Sequence, residues 1–315
     1  MQVHEDLSSF PKLNFPVVTS GTFDGVHLGH QKIIEQVKSQ AKKNNGASVL
    51  ITFHPHPRQI LFPEDKSLKI ITPFADKVAM LEKLDIDHLL KLKFDKSFSQ
   101  KSSLQFINEI LIETLGTKLL IIGYDHRFGH NREGGFEYLK NNSSKFGFEV
   151  QEIPRQDIDD IGISSTKIRK SLMTGEIEKA TAYLGRNYHL RGKVIAGNKI
   201  GRQLGFPTAN LHLIEPLQLV PADGIYAVYV EYDNQIFQGM LSIGIRPTIG
   251  QSERTIEVNI FEFDKEIYGR ELTIYFVEKY RDEQKFANLD ELKKQLGKDW
   301  QQAKKILSGH SLIRF

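Results

Sequence analysis

The hydrophobic pattern of this 315-residue chain changes near Tyr183–Tyr188. Before that point, short apolar runs alternate with helical patterns. After it, alternating apolar and polar runs follow one another, separated by turn signals such as Asp233-Asn234 and Asp264-Lys265. Alternating strands and helices predict a parallel sheet covered by helices, whereas consecutive short strands predict an antiparallel barrel or sandwich. The sequence therefore predicts two domains, which we assign to residues 1–184 and 185–315.

The predicted elements of the first domain alternate along the chain. Its strands, which are the short apolar runs, are Pro16–Ser20, Ser48–Phe53, His88–Leu92, Lys118–Gly123 and Phe148–Ile153. Its helices are Gln31–Lys42, Pro73–Leu84, Ser102–Leu115, Gly134–Asn141 and Ser165–Met173. The strands of the second domain are His189–Ile195, Ile225–Tyr232, Phe237–Ile243, Thr255–Phe261 and Glu271–Val277, followed by a helix over Leu289–Leu307. Ligands of a parallel sheet bind beyond the carboxyl ends of its strands, so the loops there are the candidate site.

Composition excludes several classes of protein. The chain has no cysteine, so it forms no disulfide framework and carries out no thiolate chemistry. Its 42 basic and 39 acidic residues leave a formal charge of +3, without the basic excess that nucleic-acid binding needs. The sequence shows no signal-peptide pattern and no apolar run of membrane-spanning length. We therefore expect a cytoplasmic protein with no nucleic-acid or membrane partner. The sequence leaves a transient homo-oligomer open as an alternative to a monomer.

The segment Gly21–His30, GTFDGVHLGH, directly follows the first predicted strand. Its glycines permit a tight turn and a close approach of the backbone to phosphate. His27 and His30 are spaced so that both imidazoles lie on one side of a helix start, beside backbone N–H groups that favour anions. Such a pair can stabilise charge on the α-phosphate of a nucleotide under attack. Two histidines that only pack at a helix start are the alternative, and the flanking glycines, strand and helix favour the nucleotide site.

Two later segments carry residues suited to the same site. The segment Gly123–Gly129, GYDHRFG, follows another predicted strand and therefore lies at the same edge of the sheet. The segment Ile163–Arg169, ISSTKIR, has the hydroxyl side chains of a helix N-terminus, and it places Lys167 and Arg169 where they could meet β- and γ-phosphates. A capped helix without a ligand is the alternative for this segment taken alone.

Together these three segments resemble a known family. GTFDGVHLGH is similar to the HxGH signature of the adenylyltransferase superfamily, and with GYDHRFG and ISSTKIR it resembles the N-terminal module of prokaryotic bifunctional riboflavin kinase/FAD synthetases. The resemblance implies a Rossmann-like α/β nucleotidyltransferase domain that transfers AMP from ATP to FMN, giving FAD and pyrophosphate. It implies His27 and His30 as the catalytic pair. The implied ATP-binding residues are Gly21, Phe23, Asp24, His27, His30, Asp125, Ser164, Ser165, Thr166 and Arg169.

The same resemblance bears on a proline-rich loop and on one departure from the family. Phe53–Pro57, FHPHP, resembles a family loop near the flavin, which implies flavin-binding roles for Phe53 and Pro55. The two histidines of this loop have no acidic partner in sequence, so we assign no metal to them. His126 stands where the family commonly has an aromatic residue.

The second domain contains a glycine-punctuated loop, Gly197–Gly205, followed by Pro207–Asn210, PTAN. Thr208 and Asn210 are next-but-one neighbours, so on an extended segment the hydroxyl of the first and the side-chain carbonyl of the second face one side. Hard oxygen donors of this kind suit Mg²⁺, which takes its other ligands from substrate phosphates. Without its context, the segment is more typical of an edge strand that begins at a proline.

Glu257 alternates in phase with Thr255 and Asn259, so the three side chains share one face of a strand. A carboxylate on that face could accept the proton of an attacking hydroxyl. A glutamate on the barrel surface is the alternative that the pattern leaves open.

These segments resemble the riboflavin kinase module along its full length. The similar stretches are GxxxGRxLGFPTANL, DGIYAV, SIGIRPT, EVNIFEFDKEIYG and YRDEQKF. The resemblance implies an antiparallel β-barrel with a C-terminal helix, in which Thr208 and Asn210 bind Mg²⁺ with the nucleotide and Glu257 is the base that activates the riboflavin 5′-hydroxyl. The implied ATP-binding residues are Gly197, Lys199, Gly201, Gly205, Pro207, Thr208 and Asn210, and Arg281 is implied at the flavin. Asn259 and Lys265 depart from the family pattern.

We therefore expect a two-domain enzyme that phosphorylates riboflavin to FMN and adenylylates FMN to FAD, with ATP and Mg²⁺ at each site and ADP and pyrophosphate as by-products. The second domain disfavours an adenylyltransferase for another acceptor. The intact Thr208, Asn210 and Glu257 disfavour a flavin-binding protein with a decayed kinase site. The balanced charge and the absence of a basic-aromatic stripe disfavour an RNA-binding barrel.

Overall fold

The computed structural model describes residues 1–65, 68–123, 126–130, 133–153, 162–197, 200–248 and 251–315. The chain divides into two compact units, Met1–Ser164 and Ser165–Phe315. This geometric division falls before residue 184, where we place the domain boundary by sequence, because the helices Ser165–Thr174 and Ile177–Leu184 group with the second unit. The boundary between the functional modules therefore stays a prediction.

The first unit is built on a six-stranded sheet. Its strands are β1 (Gln2–His4), β2 (Pro16–Ser20), β3 (Ala47–His54), β4 (His88–Lys93), β5 (Leu119–Gly123) and β6 (Glu149–Ile153). They lie in the order β1-β4-β3-β2-β5-β6, and every neighbouring pair is parallel. The order reverses between β2 and β5, which creates a crevice beyond the carboxyl ends of these two strands. The predicted α/β fold is confirmed.

Helices follow most of these strands. They are α1 (Leu28–Lys43), α2 (Pro57–Leu61), α3 (Phe74–Lys83), α4 (Lys96–Ser99), α5 (Ser103–Phe106), which continues into a π-helical segment (Ile107–Thr114), and α6 (Phe136–Phe146). Helix α1 buries Ile34, Val37 and Ala41, which recur at helical spacing. Val17 and Val18, on opposite faces of β2, are both fully buried, so apolar groups cover both faces of this strand.

The structure confirms the five predicted strands of this unit to within one residue at each end. Strand β1 and the short helices α2 and α4 are not among the predicted elements. Strand β1 is three residues long and lies at the edge of the sheet, where it pairs with β4. So short a segment has no recognisable apolar alternation, and its pairing with β4 decides its structure.

The second unit contains a closed barrel. Its strands are β7 (His189–Ile195), β8 (Ala209–Leu213), β9 (Gly224–Tyr232), β10 (Gln235–Thr248), β11 (Gln251–Ile260) and β12 (Glu271–Arg281). Around the barrel they follow the order β10-β11-β8-β7-β12-β9, and all neighbours are antiparallel. The sequence left a barrel and a sandwich open, and the structure shows the barrel. Positive φ angles at Asp233 (52°) and Asn234 (60°) form the predicted turn between β9 and β10.

The described residues of this unit form four helices. They are α7 (Ser165–Thr174), α8 (Ile177–Leu184), α9 (Ile200–Gln203) and α10 (Leu289–Ser308), of which α8 and α9 were not predicted. Helix α10 is the predicted C-terminal helix, and it packs Ala303, Ile306 and Leu307 against barrel residues that include Tyr229 and Val277. No helix among the described residues combines the length and the hydropathy that a membrane crossing requires.

Candidate active sites

The histidine pair of the first unit lies where β2 gives way to α1. His27 is the N-cap residue of α1, and its Nδ1 accepts a hydrogen bond of 3.2 Å from the backbone N–H of His30. The two imidazoles are stacked, with ring centroids 3.6 Å apart and planes 16° apart. Since Nδ1 of His27 acts as an acceptor, the neutral ring carries its proton on Nε2. The structure therefore brings the two predicted catalytic residues together at a helix N-terminus.

The loop that carries His27 has an unusual backbone. Gly25 has a φ of 96°, and two non-glycine residues, Phe23 and Val26, have φ values of 46° and 39° in the left-handed region. Such conformations cost energy in residues with a side chain, so the surrounding structure must hold them. Phe23 is 2% exposed, and its ring meets the His30 ring edge to face at 5.1 Å.

Two buried charged side chains hold this loop. The Asp24 carboxylate accepts hydrogen bonds of 3.0 Å from the backbone N–H groups of Ile71 and Thr72. The Lys77 ammonium on α3 donates a hydrogen bond of 2.7 Å to the backbone carbonyl of Thr22. Burial lowers the pKa of Lys77 to about 8, and the Asp24 charge opposes that shift. Asp24, which the sequence analysis assigned to ATP binding, thus contacts the protein backbone through its carboxylate, and Lys77 is a residue that the sequence analysis missed.

A cavity of about 950 Å³ opens beyond the carboxyl ends of the strands. His30, Gly21 and Phe23 line it, as does Phe53, the residue expected at the flavin. Further phenylalanines form its apolar part, and the lining residues that carry full charge are Arg58, Lys101 and Arg127. Among the described lining residues there is no carboxylate. An aromatic and basic cavity of this kind suits an aromatic ligand that carries phosphate.

The proline-rich loop Phe53–Pro57, next to this cavity, leads into helix α2. His56 is the N-cap residue of α2, and its side chain accepts a hydrogen bond from the Arg58 backbone N–H at 3.2 Å. His56 lines the cavity, whereas Pro55, which follows a cis peptide bond, is not among the lining residues. The capping contact explains a histidine in this loop without a metal.

The other predicted residues of this site fall in different parts of the chain. Asp125 lies outside the described residues. Ser164 ends the first unit, and Ser165, Thr166 and Arg169 lie in α7, which begins the second unit at the predicted helix start. Their participation in the first site stays a prediction. The contact between Ser20 and His126, which both line the cavity, was not predicted, because these residues are far apart in sequence.

The predicted kinase residues meet on two paired strands of the barrel. Asn210 on β8 lies directly opposite Glu257 on β11, and directly opposed residues of an antiparallel pair place their side chains on the same face. The Thr208 hydroxyl donates a hydrogen bond of 3.3 Å to Glu257 Oε2. Asn259, one of the departures from the family pattern, donates from Nδ2 to the Pro207 carbonyl oxygen at 2.7 Å. Asn259 therefore fixes the start of the PTAN segment.

Glycines let the preceding loop approach this group closely. A Cβ atom on Gly197 would lie 2.2 Å from Asn210 Nδ2, and one on Gly201 would lie 2.3 Å from the Phe206 carbonyl oxygen. Gly205 has a φ of 88°, which favours glycine. Lys199 lies outside the described residues. The loop is thus built on glycine for packing reasons, in addition to any contact with phosphate.

A cavity of about 310 Å³ lies beside the PTAN segment. Pro207, Thr208 and Arg202 line it, together with the segment 263–268 that contains Lys265. Arg281, implied at the flavin, donates from Nε to the carboxylate of Asp299 on α10 at 2.8 Å, and Asp299 is 2% exposed. This ion pair joins β12 to α10, so Arg281 has a packing role, and its contact with a flavin stays a prediction.

Comparisons with known proteins match a different family model to each half of the chain. A family model described as FAD synthetase matches residues 11–167, and one described as riboflavin kinase matches residues 184–307. A bifunctional riboflavin kinase/FMN adenylyltransferase from Buchnera aphidicola subsp. Schizaphis graminum is 39% identical over 313 residues, which cover 98% of this chain and 99% of the relative. The protein of the same name from Haemophilus influenzae is 38% identical over 91% of this chain and 92% of its own length.

A solved structure also resembles the whole chain. The crystal structure of a protein described as a macrolide-efflux protein from Streptococcus pneumoniae superposes with a TM-score of 0.86. It is 32% identical in sequence, and the match covers 96% of this chain and 98% of the other. The similarity in sequence and in structure thus extends over both compact units.

Proposed function

The chain belongs to the family of bifunctional riboflavin kinases/FMN adenylyltransferases, and we propose from this membership that its two reactions take place at two separate sites. The enzyme phosphorylates riboflavin to FMN and adenylylates FMN to FAD, using ATP in both reactions. We assign adenylyl transfer to the loop of His27 and His30, and kinase activity to Thr208, Asn210 and Glu257. The observation that supports this assignment is that each set of residues lies together within its own compact unit, where His30 lines one cavity and Thr208 lines another.

In adenylyl transfer, a phosphate oxygen of FMN attacks the α-phosphorus of ATP, and the bond to the β-phosphate breaks with release of pyrophosphate. Negative charge grows on the α-phosphate oxygens during this step. The imidazoles of His27 and His30 and the backbone N–H groups at the start of α1 donate hydrogen bonds to these oxygens. The contact between His27 Nδ1 and the His30 N–H leaves Nε2 of His27 as the donor.

In the kinase reaction, the 5′-hydroxyl of riboflavin attacks the γ-phosphorus of ATP, and ADP leaves. Glu257 accepts the proton of that hydroxyl as the new bond forms. The hydrogen bond from Thr208 orients the carboxylate, and the pairing of β8 with β11 fixes Glu257 opposite Asn210. The base is thus positioned by strand register and by one side-chain contact.

The donor atoms of this group fit a magnesium ion. The Thr208 hydroxyl, the Asn210 side-chain carbonyl and the Glu257 carboxylate are hard oxygen donors. Asn210 and Glu257 are paired residues of β8 and β11, and Thr208, which directly precedes β8, bonds to Glu257. We propose that Thr208 and Asn210 hold Mg²⁺ together with the nucleotide. When bound, the ion supplies positive charge that offsets the repulsion between the phosphates and Glu257.

The other residues implied by the family resemblance are proposed as substrate contacts. For adenylyl transfer these are Gly21, Phe23, Asp125, Ser164, Ser165, Thr166 and Arg169 at ATP, with Asp24 acting through the loop that it holds, and Phe53 and Pro55 at the flavin. For the kinase they are Gly197, Lys199, Gly201, Gly205 and Pro207 at ATP, with Arg281 at the flavin. We propose functional modules at 1–184 and 185–315, a cytoplasmic location without a nucleic-acid or membrane partner, and a capacity to form a transient homo-oligomer.

The proposal is tested by following flavins in a single reaction. The purified protein is incubated with riboflavin, ATP and magnesium chloride, and the flavins are separated by chromatography over time. We expect FMN to form first and FAD afterwards, and chelation of the magnesium to stop both. Formation of FMN alone would contradict the assignment of the first site, and formation of FAD only from added FMN would contradict that of the second.

A further inference from the structure

Three metal-ligating side chains come together in the second unit. They belong to Glu178 on α8, Glu278 on β12 and His310, which follows α10. One ligand atom from each residue lies within 4.8 Å of those of the other two. None of the three is among the described residues that line either cavity. They therefore form a separate group that the two proposed reactions do not use.

The imidazole of His310 is arranged as a ligand. Its Nδ1 lies 2.8 Å from the Ile306 carbonyl oxygen, and since a carbonyl only accepts hydrogen bonds, Nδ1 carries the proton. The neutral ring therefore presents the lone pair of Nε2, to which no described residue bonds. Metal-bound histidines are commonly oriented by such a bond from the second ring nitrogen to a backbone carbonyl. The Tyr229 hydroxyl donates to the His310 carbonyl oxygen at 2.7 Å and so holds the backbone as well.

The two carboxylates of the group have no cationic partner among the described residues. Neither Glu178 nor Glu278 forms an ion pair or a side-chain hydrogen bond there, and the lysine that follows each of them in sequence pairs with a different carboxylate. Like charges at this distance repel each other, and a bound cation removes that repulsion. Two carboxylates and a neutral imidazole thus supply both the ligand atoms and the negative charge that suit a divalent cation.

We propose that Glu178, Glu278 and His310 bind one zinc ion, which leaves the fourth tetrahedral position to water. The imidazole favours Zn²⁺ over Mg²⁺, and carboxylate oxygens are ordinary zinc ligands. Bonds of about 2.1 Å place tetrahedral ligand atoms about 3.4 Å apart, so small rotations of the exposed Glu178 and His310 side chains complete the site. The ion links α8, β12 and the segment after α10. It stabilises the folded second unit, because the unfolded chain does not hold these residues together.

The test measures zinc binding to the full chain by isothermal titration calorimetry, after removal of bound metal and in the presence of excess Mg²⁺. The wild type should bind one more Zn²⁺ ion at high affinity than Glu178→Gln or His310→Gln. Loss of a group that only orients a ligand costs about 10–100-fold in metal affinity, so loss of a ligand should weaken binding of this ion by at least about tenfold. Zn²⁺ should also raise the melting temperature of the wild type more than that of either variant. Glu178→Gln removes no described side-chain contact, so it keeps the test decisive if His310→Gln loses stability.

Matched controls replace the same types of residue elsewhere. Glu271 is exposed on β12 and pairs with Arg191 at 3.3 Å. His212 is exposed on β8 and is not among the described residues that line either cavity. Glu271→Gln and His212→Gln should bind Zn²⁺ as the wild type does. The double variant His27→Ala/His30→Ala should also keep this ion, which separates it from any zinc that binds to the histidine pair of the first unit.

Two results would overturn the inference. The first is equal zinc binding in the wild type, Glu178→Gln and His310→Gln, since the three residues would then hold no ion. The second is an equal loss of binding in Glu271→Gln or His212→Gln, since the effect would then be general to the surface of the unit. Neither result depends on the flavin reactions, so this inference and the proposed function can fail separately.

Discussion

The two sites that we propose for this chain offer phosphate opposite kinds of side chain. In the first unit, histidines and basic side chains are among the polar residues that line the cavity beside His30, and no described lining residue is acidic. In the second unit, the central side chains of Thr208, Asn210 and Glu257 present oxygen. Nitrogen donors bind phosphate directly, whereas oxygen ligands bind it through a cation. The comparison teaches that one chain can offer phosphate two kinds of protein group, nitrogen donors at one proposed site and oxygen ligands suited to a cation at the other.

The two sites are also held in place differently. The first depends on a loop with left-handed residues at Phe23 and Val26, which Asp24 and Lys77 hold through contacts with backbone groups. The second depends on strand register, because Asn210 and Glu257 are paired residues of β8 and β11. Loop conformation can be lost by removing one buried charge, whereas strand register is maintained by many hydrogen bonds. We therefore expect variants to affect the two activities separately.

The largest effect is expected from Glu257→Gln. Glutamine keeps the size of the side chain and can still meet the Thr208 hydroxyl, but it cannot take the proton of the riboflavin hydroxyl. Loss of a general base predicts that kcat for FMN formation falls by about 10²–10⁴-fold. FAD formation from added FMN should stay near the wild-type rate. Both rates are measured by chromatography of the flavins.

The matched control for this variant is Glu262→Gln. Glu262 is exposed and pairs with Lys304 at 2.8 Å, so its replacement should leave both activities unchanged. If Glu257→Gln abolished FAD formation as well, the two sites would not be independent, and the comparison between them would fail.

The next largest effect is expected from the double variant His27→Ala/His30→Ala. Removing the donors that stabilise the α-phosphate should lower kcat for FAD formation by about 10²–10³-fold, while riboflavin phosphorylation continues. His27 is also the N-cap of α1, so alanine there costs about 1 kcal/mol of stability. His27→Asn separates the two roles, because asparagine is a good N-cap and has no imidazole. Wild-type FAD formation in His27→Asn would show that the ring has only a structural role.

Much of the second site could be predicted from sequence for a simple physical reason. Strand side chains alternate strictly, so Thr208 and Asn210 had to share a face, as did Glu257 and Asn259. The sequence could not show which of these faces met, because that depends on the pairing of β8 with β11. The barrel itself was one of two alternatives, since short alternating strands are typical of both a barrel and a sandwich.

In the first site, features set by neighbouring residues could be predicted from sequence, whereas contacts between residues far apart in the chain could not. The spacing of His27 and His30 and the start of a helix there follow from neighbouring residues. The roles of Asp24 and Lys77 depend on contacts with residues 47 and 55 positions away, and the Ser20–His126 contact spans 106 positions. No local pattern marks such contacts. A lysine that points into the protein from an otherwise ordinary helix becomes visible only once the chain is folded.

The smallest effect concerns Lys77 and the pH dependence of stability. Burial lowers its pKa to about 8 in the folded protein, against an ordinary value of 10.5. Between these two values the unfolded chain binds more protons than the folded chain, so the contribution of Lys77 to stability rises as the pH increases through this window. Below pH 8 the cost of burying the ammonium group is fully present. Above the window, Lys77 is neutral in both states, and its titration contributes no further change.

The comparison of Lys77→Met with the wild type isolates this contribution, because all other groups titrate alike in both proteins. The free energy of unfolding of the first unit is measured by denaturant at pH 7.5 and 9.5. The value for the wild type minus the value for Lys77→Met should increase by on the order of 2 kcal/mol from the lower to the higher pH.

Lys83→Met is the control, since Lys83 lies on the same helix and is exposed. Its difference from the wild type should not change with pH. A difference between wild type and Lys77→Met that does not change with pH would mean that Lys77 keeps an ordinary pKa and does not hold the loop as a buried charge. The kinase rate should be the same in all three proteins, because the loop that Lys77 holds belongs to the first site alone.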